Sequence, residues 1–243
     1  MALAEKRQAE KTRYFERFSL NRRIQHIVLM FSFTLLVITG LPVRYSDSQI
    51  SATIIQIMGG FTARAILHRV GAVILICLAV YHVIHTALTH EGRNEFRALL
   101  PRWKDFTDLF HMLKYYFALA KSKPKFDRYN YIEKFEYFAV GWGSVVMILT
   151  GFILWFEDKS INILPLWALD VARAVHSWEA LLAFLTILIW HMYHVHLKPG
   201  HFPMDRVWID GKISEDKIKH NHPLEYERIV NQAEKNENAI IAK

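Results

Sequence analysis

The chain has 243 residues, 52% of them hydrophobic, with 30 Lys and Arg against 23 Asp and Glu, a net charge of +7 and one cysteine. That lone Cys77 excludes an intrachain disulfide, Cys-ligated zinc, an iron–sulfur cluster and a Cys-x-x-Cys-His attachment motif within this chain. The cations fall in separate blocks rather than on one surface, which argues against a nucleic-acid-binding face.

In chain order, Met1 to Leu20 is charged and helix-prone and reads as a cytoplasmic or interfacial arm. Four apolar runs follow, Ile24–Val43, Ala63–Leu88, Phe135–Phe156 and Leu169–Tyr193. Each is long enough to cross a hydrocarbon layer of about 30 Å. The first is not expected to be a cleavable signal, because a long basic segment precedes it and no small-residue cleavage site follows. Between the second and third runs, Phe106, Phe110, Leu113 and Phe117 recur at helical spacing among Lys104, Asp108 and Lys114, predicting an amphipathic helix on the membrane surface. The tail after Pro199 is polar and expected to be only partly ordered. The resulting division is an arm over 1–20, a membrane domain over 21–197 and a tail over 198–243.

Charge placement orients the spans. Lys6, Arg7, Lys11, Arg13, Arg17, Arg22 and Arg23 precede the first, ten Lys and Arg lie from Arg93 to Lys134, and eight lie from Lys198 onward. The two remaining connections carry Arg44, Arg64 and Lys159, with Arg173 just inside the fourth span. Both termini and the middle loop are therefore expected in the cytoplasm. The fold class read from this pattern is all-α: an integral membrane four-helix bundle, both termini cytoplasmic, with a cytoplasmic amphipathic helix between spans 2 and 3. An echo runs through the chain as well. "VITG" at Val37–Gly40 resembles "ILTG" at Ile148–Gly151, and "ARAILH" ending at His68 resembles "ARAVH" ending at His176, as two copies of one helical hairpin would.

Histidines carry the chemistry. His68 and His82 are fourteen residues apart, His176 and His191 fifteen. Each spacing sets two imidazoles within roughly 60° of one helix face and roughly 21 Å apart. Intramembrane histidines are costly without a partner, and two neutral imidazoles saturate a haem iron for electron transfer. With the orientation above, His68 and His176 share the periplasmic depth and form the natural outer pair. At cytoplasmic depth His191 faces either His26 or His82, and His194 is an alternative donor five full turns from His176. For His85, His90, His111, His196, His201, His220 and His222 the ordinary reading is a histidine at headgroup level, bonded to a carbonyl or water. Gly40, Gly71, Gly141, Gly143 and Gly151 would let a porphyrin or a neighbouring helix approach, and helix packing explains most of them. Arg64 and Arg173 stand near the expected propionates of the outer haem, where snorkelling is the competing explanation.

Together "RRIQHIVLMFSFTLLVITG", "ARAILHRVG", "RYNYIEKFEYF", "LTGFILW", "IWHMYHVH" and the tail "WIDGKISEDKIKHNHPLEYERI" resemble the di-haem cytochrome b subunits of membrane-bound formate dehydrogenases, a group related to those of nickel–iron hydrogenases. The likeness runs from Asn21 to about Ile229. It implies an outer haem on His68 and His176, an inner haem on His26 and His191, and a quinone site near Asn130 and Glu133. Three features depart from the pattern: fifteen residues rather than fourteen between the ligands of the fourth span, the extra histidines His82 and His194, and unfamiliar sequence after His176 and His201. The additional residue turns His191 by about 100°, so the helix adjusts locally, His194 replaces it, or the inner site is built differently. A third haem on the surplus histidines stays open.

The function expected is a membrane-anchoring b-type cytochrome subunit with two b-type haems. It would pass electrons between a periplasm-facing iron–sulfur or multihaem partner of a dehydrogenase, hydrogenase or reductase and menaquinone or ubiquinone. The chain is expected in a bacterial or archaeal cytoplasmic membrane and without a complete active site of its own. Glu133, Lys134, His194 or His85 would relay protons. A His-lined transporter or metal-ion channel is the rival, and Glu179 is the one carboxylate near His176 that it could use.

Overall fold

The computed structural model describes residues 13–200 and 202–241, so Met1 to Thr12 of the expected arm, with Lys6, Arg7 and Lys11, and also His201, lie outside the described residues. The chain is mostly helical and divides into two compact units, one of Leu20–Leu88 and Phe138–Asp205, the other of the segment ending at Ser19, Thr89–Tyr137 and the segment from Arg206.

Four helices are long and apolar enough to cross a membrane: α1 (Leu20–Arg44), α3 (Gly60–Leu88), α6 (Tyr131–Trp155), and a span over Leu166–Leu197 that opens as α8 (Leu166–Leu185). Between them lie α2 (Gln49–Ile57) and the single turn α7 (Glu157–Ser160). Large apolar side chains such as Phe31, Val83 and Leu149 stay exposed on the spans, as expected where lipid rather than water is the solvent. Between α1 and α3 the contact is close. Ser32 and Thr39 are fully buried, and a Cβ at Gly71 would stand 3.2 Å from Leu36 Cγ. The hydroxyls satisfy themselves on their own helix, Ser32 donating to Leu29 O and Thr39 to Leu35 O, so a polar seam is tolerated in an apolar setting.

The fourth span changes its winding near its end. After α8 the backbone is π-helical over Thr186–His191 and again over Tyr193–Leu197. A π-turn holds more residues per revolution than an α-turn, so it absorbs added residues without turning the rest of the helix.

The other unit gathers segments that the sequence left separate. Strand β1 (Tyr14–Glu16) pairs antiparallel with β2 (Lys212–Ser214) in the register Tyr14–Ser214, Phe15–Ile213 and Glu16–Lys212. The same unit holds α4 (His90–Leu99), α5 (Trp103–Tyr116), the turn α9 (Val207–Asp210), α10 (Glu215–Asn221) and α11 (Pro223–Ile241). Its core includes Leu99, Met112, Tyr129, Ile213 and Ile218. The tail expected to be partly ordered is thus folded over its described length. Ile213 and Ile218 anchor it apolarly, and the ladder continues where Glu215 N donates to Arg13 O.

Candidate haem-binding histidine pairs

His68 on α3 and His176 on α8 face each other with ring centres 6.4 Å apart. Each is set by the same device. Thr39 and Thr150 spend their hydroxyl protons on the carbonyls one turn back, Leu35 O at 2.6 Å and Val146 O at 2.7 Å. Their oxygens therefore accept from the imidazoles, His68 Nδ1 at 2.8 Å and His176 Nδ1 at 2.9 Å. With the proton held on Nδ1, Nε2 keeps its lone pair for a metal, the arrangement in which an outer hydrogen bond fixes ring orientation and raises ligand basicity. The residues after those threonines make room. A Cβ on Gly40 or on Gly151 would stand 3.3 Å from Cε1 of His68 or His176 respectively. The echo between "VITG" and "ILTG" thus corresponds to a repeated Thr–Gly seat for a histidine.

His26 on α1 and His191 form a second pair, again with ring centres 6.4 Å apart. His191 ends the first π-helical segment, so the additional residue between the histidines of the fourth span is met by a local change of winding. The surplus histidines are engaged elsewhere. His82 Nδ1 donates to Gln25 Oε1 at 2.8 Å, and His194 Nδ1 donates to Trp190 O at 2.9 Å. His85 stacks on Tyr81.

The spacing tests what the pairs can hold. Two imidazole–metal bonds of about 2 Å, with just over 1 Å from each nitrogen to its ring centre, amount to about 6.4 Å between ring centres. The ring centres of both pairs stand at that distance. Among the described residues no group of three or more His, Cys, Asp or Glu side chains is arranged to hold an ion.

Cations surround the first pair. Arg64 Nη1 donates to Thr39 O at 3.0 Å, while its buried Nε has no partner among the described residues. Arg173 is exposed and engaged by Glu157 and by Asp170 at 3.1 Å, so its charge is already answered. Arg44 is closer to the site than the sequence suggested. It donates to the hydroxyl of Ser177, next to His176, lies 3.9 Å over the ring of Trp178, and likewise leaves a buried Nε without a partner. One turn along α8 from His176, Glu179 reaches α6, where a Cβ on Gly143 would stand 2.8 Å from its Oε1.

Asn130 and Glu133 belong to the other unit, where both serve the start of α6. Asn130 Oδ1 accepts from Ile132 N and Glu133 N, and Glu133 Oε2 accepts from Asn130 N at 2.8 Å, a reciprocal capping box. Behind them lies a buried charge cluster. Arg17 donates to Glu225 and to Arg128 O, and Arg128 donates to Glu225 at 2.6 Å and to Glu95 at 3.0 Å. His222 donates from Nδ1 to Asp127 O and accepts from Arg17 at Nε2. Burial pushes this imidazole below its ordinary value; Arg17 adds to the shift, and Glu133 and Glu225 oppose it. Lys134 is held by Asp105 at 2.8 Å.

Sequence reasoning missed Thr39, Thr150, Arg44 and Gln25. The two threonines stood inside the repeated tetrapeptide, where a paired hydroxyl before a glycine was the available signal. Nothing local marked Arg44 or Gln25.

A search of curated proteins returns no match to the chain. The family model described as prokaryotic cytochrome b561 matches residues 17–201, most of the chain and all four spans through His191. Membership of that family, a membrane b-type cytochrome of electron transfer, agrees with two facing histidine pairs that can take a haem iron between them. The chain belongs to the prokaryotic cytochrome b561 family.

Proposed function

We propose that this protein is the di-haem, membrane-anchoring cytochrome b subunit of a respiratory complex, passing electrons between a periplasm-facing redox partner and the quinone pool. The observation that carries the proposal is the pair of 6.4 Å histidine facings served by a single helical span. His68 with His176 would hold one haem and His26 with His191 the other. Bound haem supplies one-electron chemistry, and the chain's own residues orient the ligands, exclude water and answer the propionate charge.

Thr39 and Thr150 hold the Nδ1 protons of the first pair, and Gly40 and Gly151 leave space beside the rings. Arg64 and Arg44 offer unpaired Nε–H groups to carboxylates. The charge blocks support both termini and the middle loop in the cytoplasm of a bacterial or archaeal cell, with the first pair towards the periplasm. A quinone site at the cytoplasmic side, with Asn130 and Glu133 near it, rests on the resemblance to formate dehydrogenase and hydrogenase subunits, which likewise suggests an iron–sulfur or multihaem partner.

A reduced-minus-oxidised spectrum of the purified protein, with pyridine haemochrome stoichiometry, tests the reading. Two b-type haems per chain are expected, one being lost in His26→Ala and one in His68→Ala. A colourless preparation overturns it, and a stoichiometry of two retained in His26→Ala but not in His82→Ala reassigns the second site.

A further inference from the structure

Helix α5 is amphipathic in the reverse of the usual sense. Its carboxylates point inward: Asp108 is buried and paired with Lys104, and Asp105 holds the buried Lys134. Its aromatic side is bare, with Trp103 81%, Phe106 58% and Phe110 59% exposed, and Phe117, at its C-terminal cap, is 74% exposed. Steps of three, four and seven residues keep these four on one stripe. A helix on a water-facing surface buries such a stripe and solvates its acids.

Two observations identify what covers the stripe. Connectivity is the first: the segment carrying α5 leaves the apolar span that ends at Leu88 and returns to the one that begins at Tyr131, so short connections on both sides keep α5 within reach of the bilayer surface. Charge is the second. His111 and Lys114 border a recess with Thr107, Phe110 and Ala120, and exposed Lys121 and Lys123 follow. Both acids of α5 are occupied within the protein, so its outward surface offers aromatic rings and cations. Aromatic side chains favour the headgroup boundary, and lysines near it attract anionic lipid.

We propose that α5 lies in the membrane plane with its aromatic stripe inserted among the acyl chains, and that the recess at His111 and Lys114 binds the phosphate of an anionic phospholipid. The site needs only the membrane character of the chain and stands whether or not the histidine pairs hold haem.

The test uses the full chain in nanodiscs of phosphatidylcholine with or without phosphatidylglycerol. In a Cys77→Ser background, Phe106→Cys and Phe110→Cys are labelled separately with a fluorophore. Quenching by lipids brominated on the acyl chain and protection from aqueous iodide are expected at both positions. Native mass spectrometry of the unlabelled chain should show phosphatidylglycerol retained over phosphatidylcholine, a preference lowered about fivefold in Lys114→Gln and preserved in Lys114→Arg, as loss of one lysine near an anionic surface predicts. Quenching by iodide at both positions, shielding from both quenchers as under a protein partner, or equal retention of the two lipids in the wild-type chain would each overturn the proposal.

Discussion

Replacing Thr39 by valine keeps the shape of the side chain and removes the hydroxyl oxygen that accepts the His68 Nδ1 proton, 2.8 Å away in the structure. The consequence follows in two steps. A buried donor without an acceptor costs about 1–3 kcal/mol, and the ring loses the bond that fixes its tautomer and orientation. Loss of such an outer partner lowers metal affinity by about 10–100-fold, or about 1.4–2.7 kcal/mol, in the same range. The imidazole also becomes a weaker electron donor, which destabilises ferric more than ferrous iron, so the midpoint potential of one haem should rise. Thr39→Ser keeps the acceptor and should restore both properties. Haem retention by pyridine haemochrome during slow dilution, together with a potentiometric titration, reads the effect. Thr150→Val should act on the same haem through His176 at 2.9 Å, and the double variant should deviate from additivity because both ligands serve one ion. If Thr39→Val keeps wild-type retention and potential, the tautomer assignment and the role of the repeated Thr–Gly seat are refuted together.

Other perturbations should read out separately. Gly151→Leu places a bulky side chain where a Cβ alone already meets His176 Cε1 at 3.3 Å, and should deplete one haem while leaving the other spectrally unchanged. Arg17→Met removes one of the two guanidinium groups that pair buried Glu225, leaving Arg128, and should destabilise the unit that holds β1 and β2 by about 1–3 kcal/mol, seen as faster hydrogen exchange in β1, β2 and α11. His222 is depressed below its unfolded value of about 6.5, so its unfolded form takes up a proton first as pH falls. That unit should therefore be most stable above this pH and weaken below it, and His222→Gln should flatten the dependence; an unchanged slope between pH 7.5 and 5.5 in hydrogen exchange assigns it elsewhere.

The spans and the pairing of His68 with His176 were legible because lipid imposes them. A run of some twenty apolar residues has few alternatives, and a histidine inside one demands a partner. His68 and His176 could be matched from sequence for that reason, whereas the choice between His26 and His82 could not. His82 has a spacing that suits the second site, and in the structure its Nδ1 proton goes to Gln25. The unit that holds β1 and β2 was illegible for a different reason. Arg17, Glu95, Arg128, His222 and Glu225 are ordinary surface residues one at a time, and they become a core only when three distant segments are brought together. Asn130 and Glu133, singled out for a quinone by resemblance, have a sufficient local reason to be there as the capping box of α6.

The fourth span reaches its second histidine pairing through a change of winding. An α-helix continued unbroken past His176 would carry the fifteen-residue offset as a rotation of about 100° relative to a fourteen-residue one. The chain instead widens its turns over Thr186–His191, and His191 meets His26 at the same 6.4 Å at which His68 meets His176. Widened turns weaken backbone hydrogen bonding, so the sequence is expected to return to α-geometry if the added residue is removed. Deleting Ile187 tests this directly. The shortened span should regain regular winding and retain both haems, since His191 would then sit at the fourteen-residue offset of the resembling subunits. Loss of one haem on that deletion would mean that the wide turn is itself required to aim His191, and that spacing alone does not define this site.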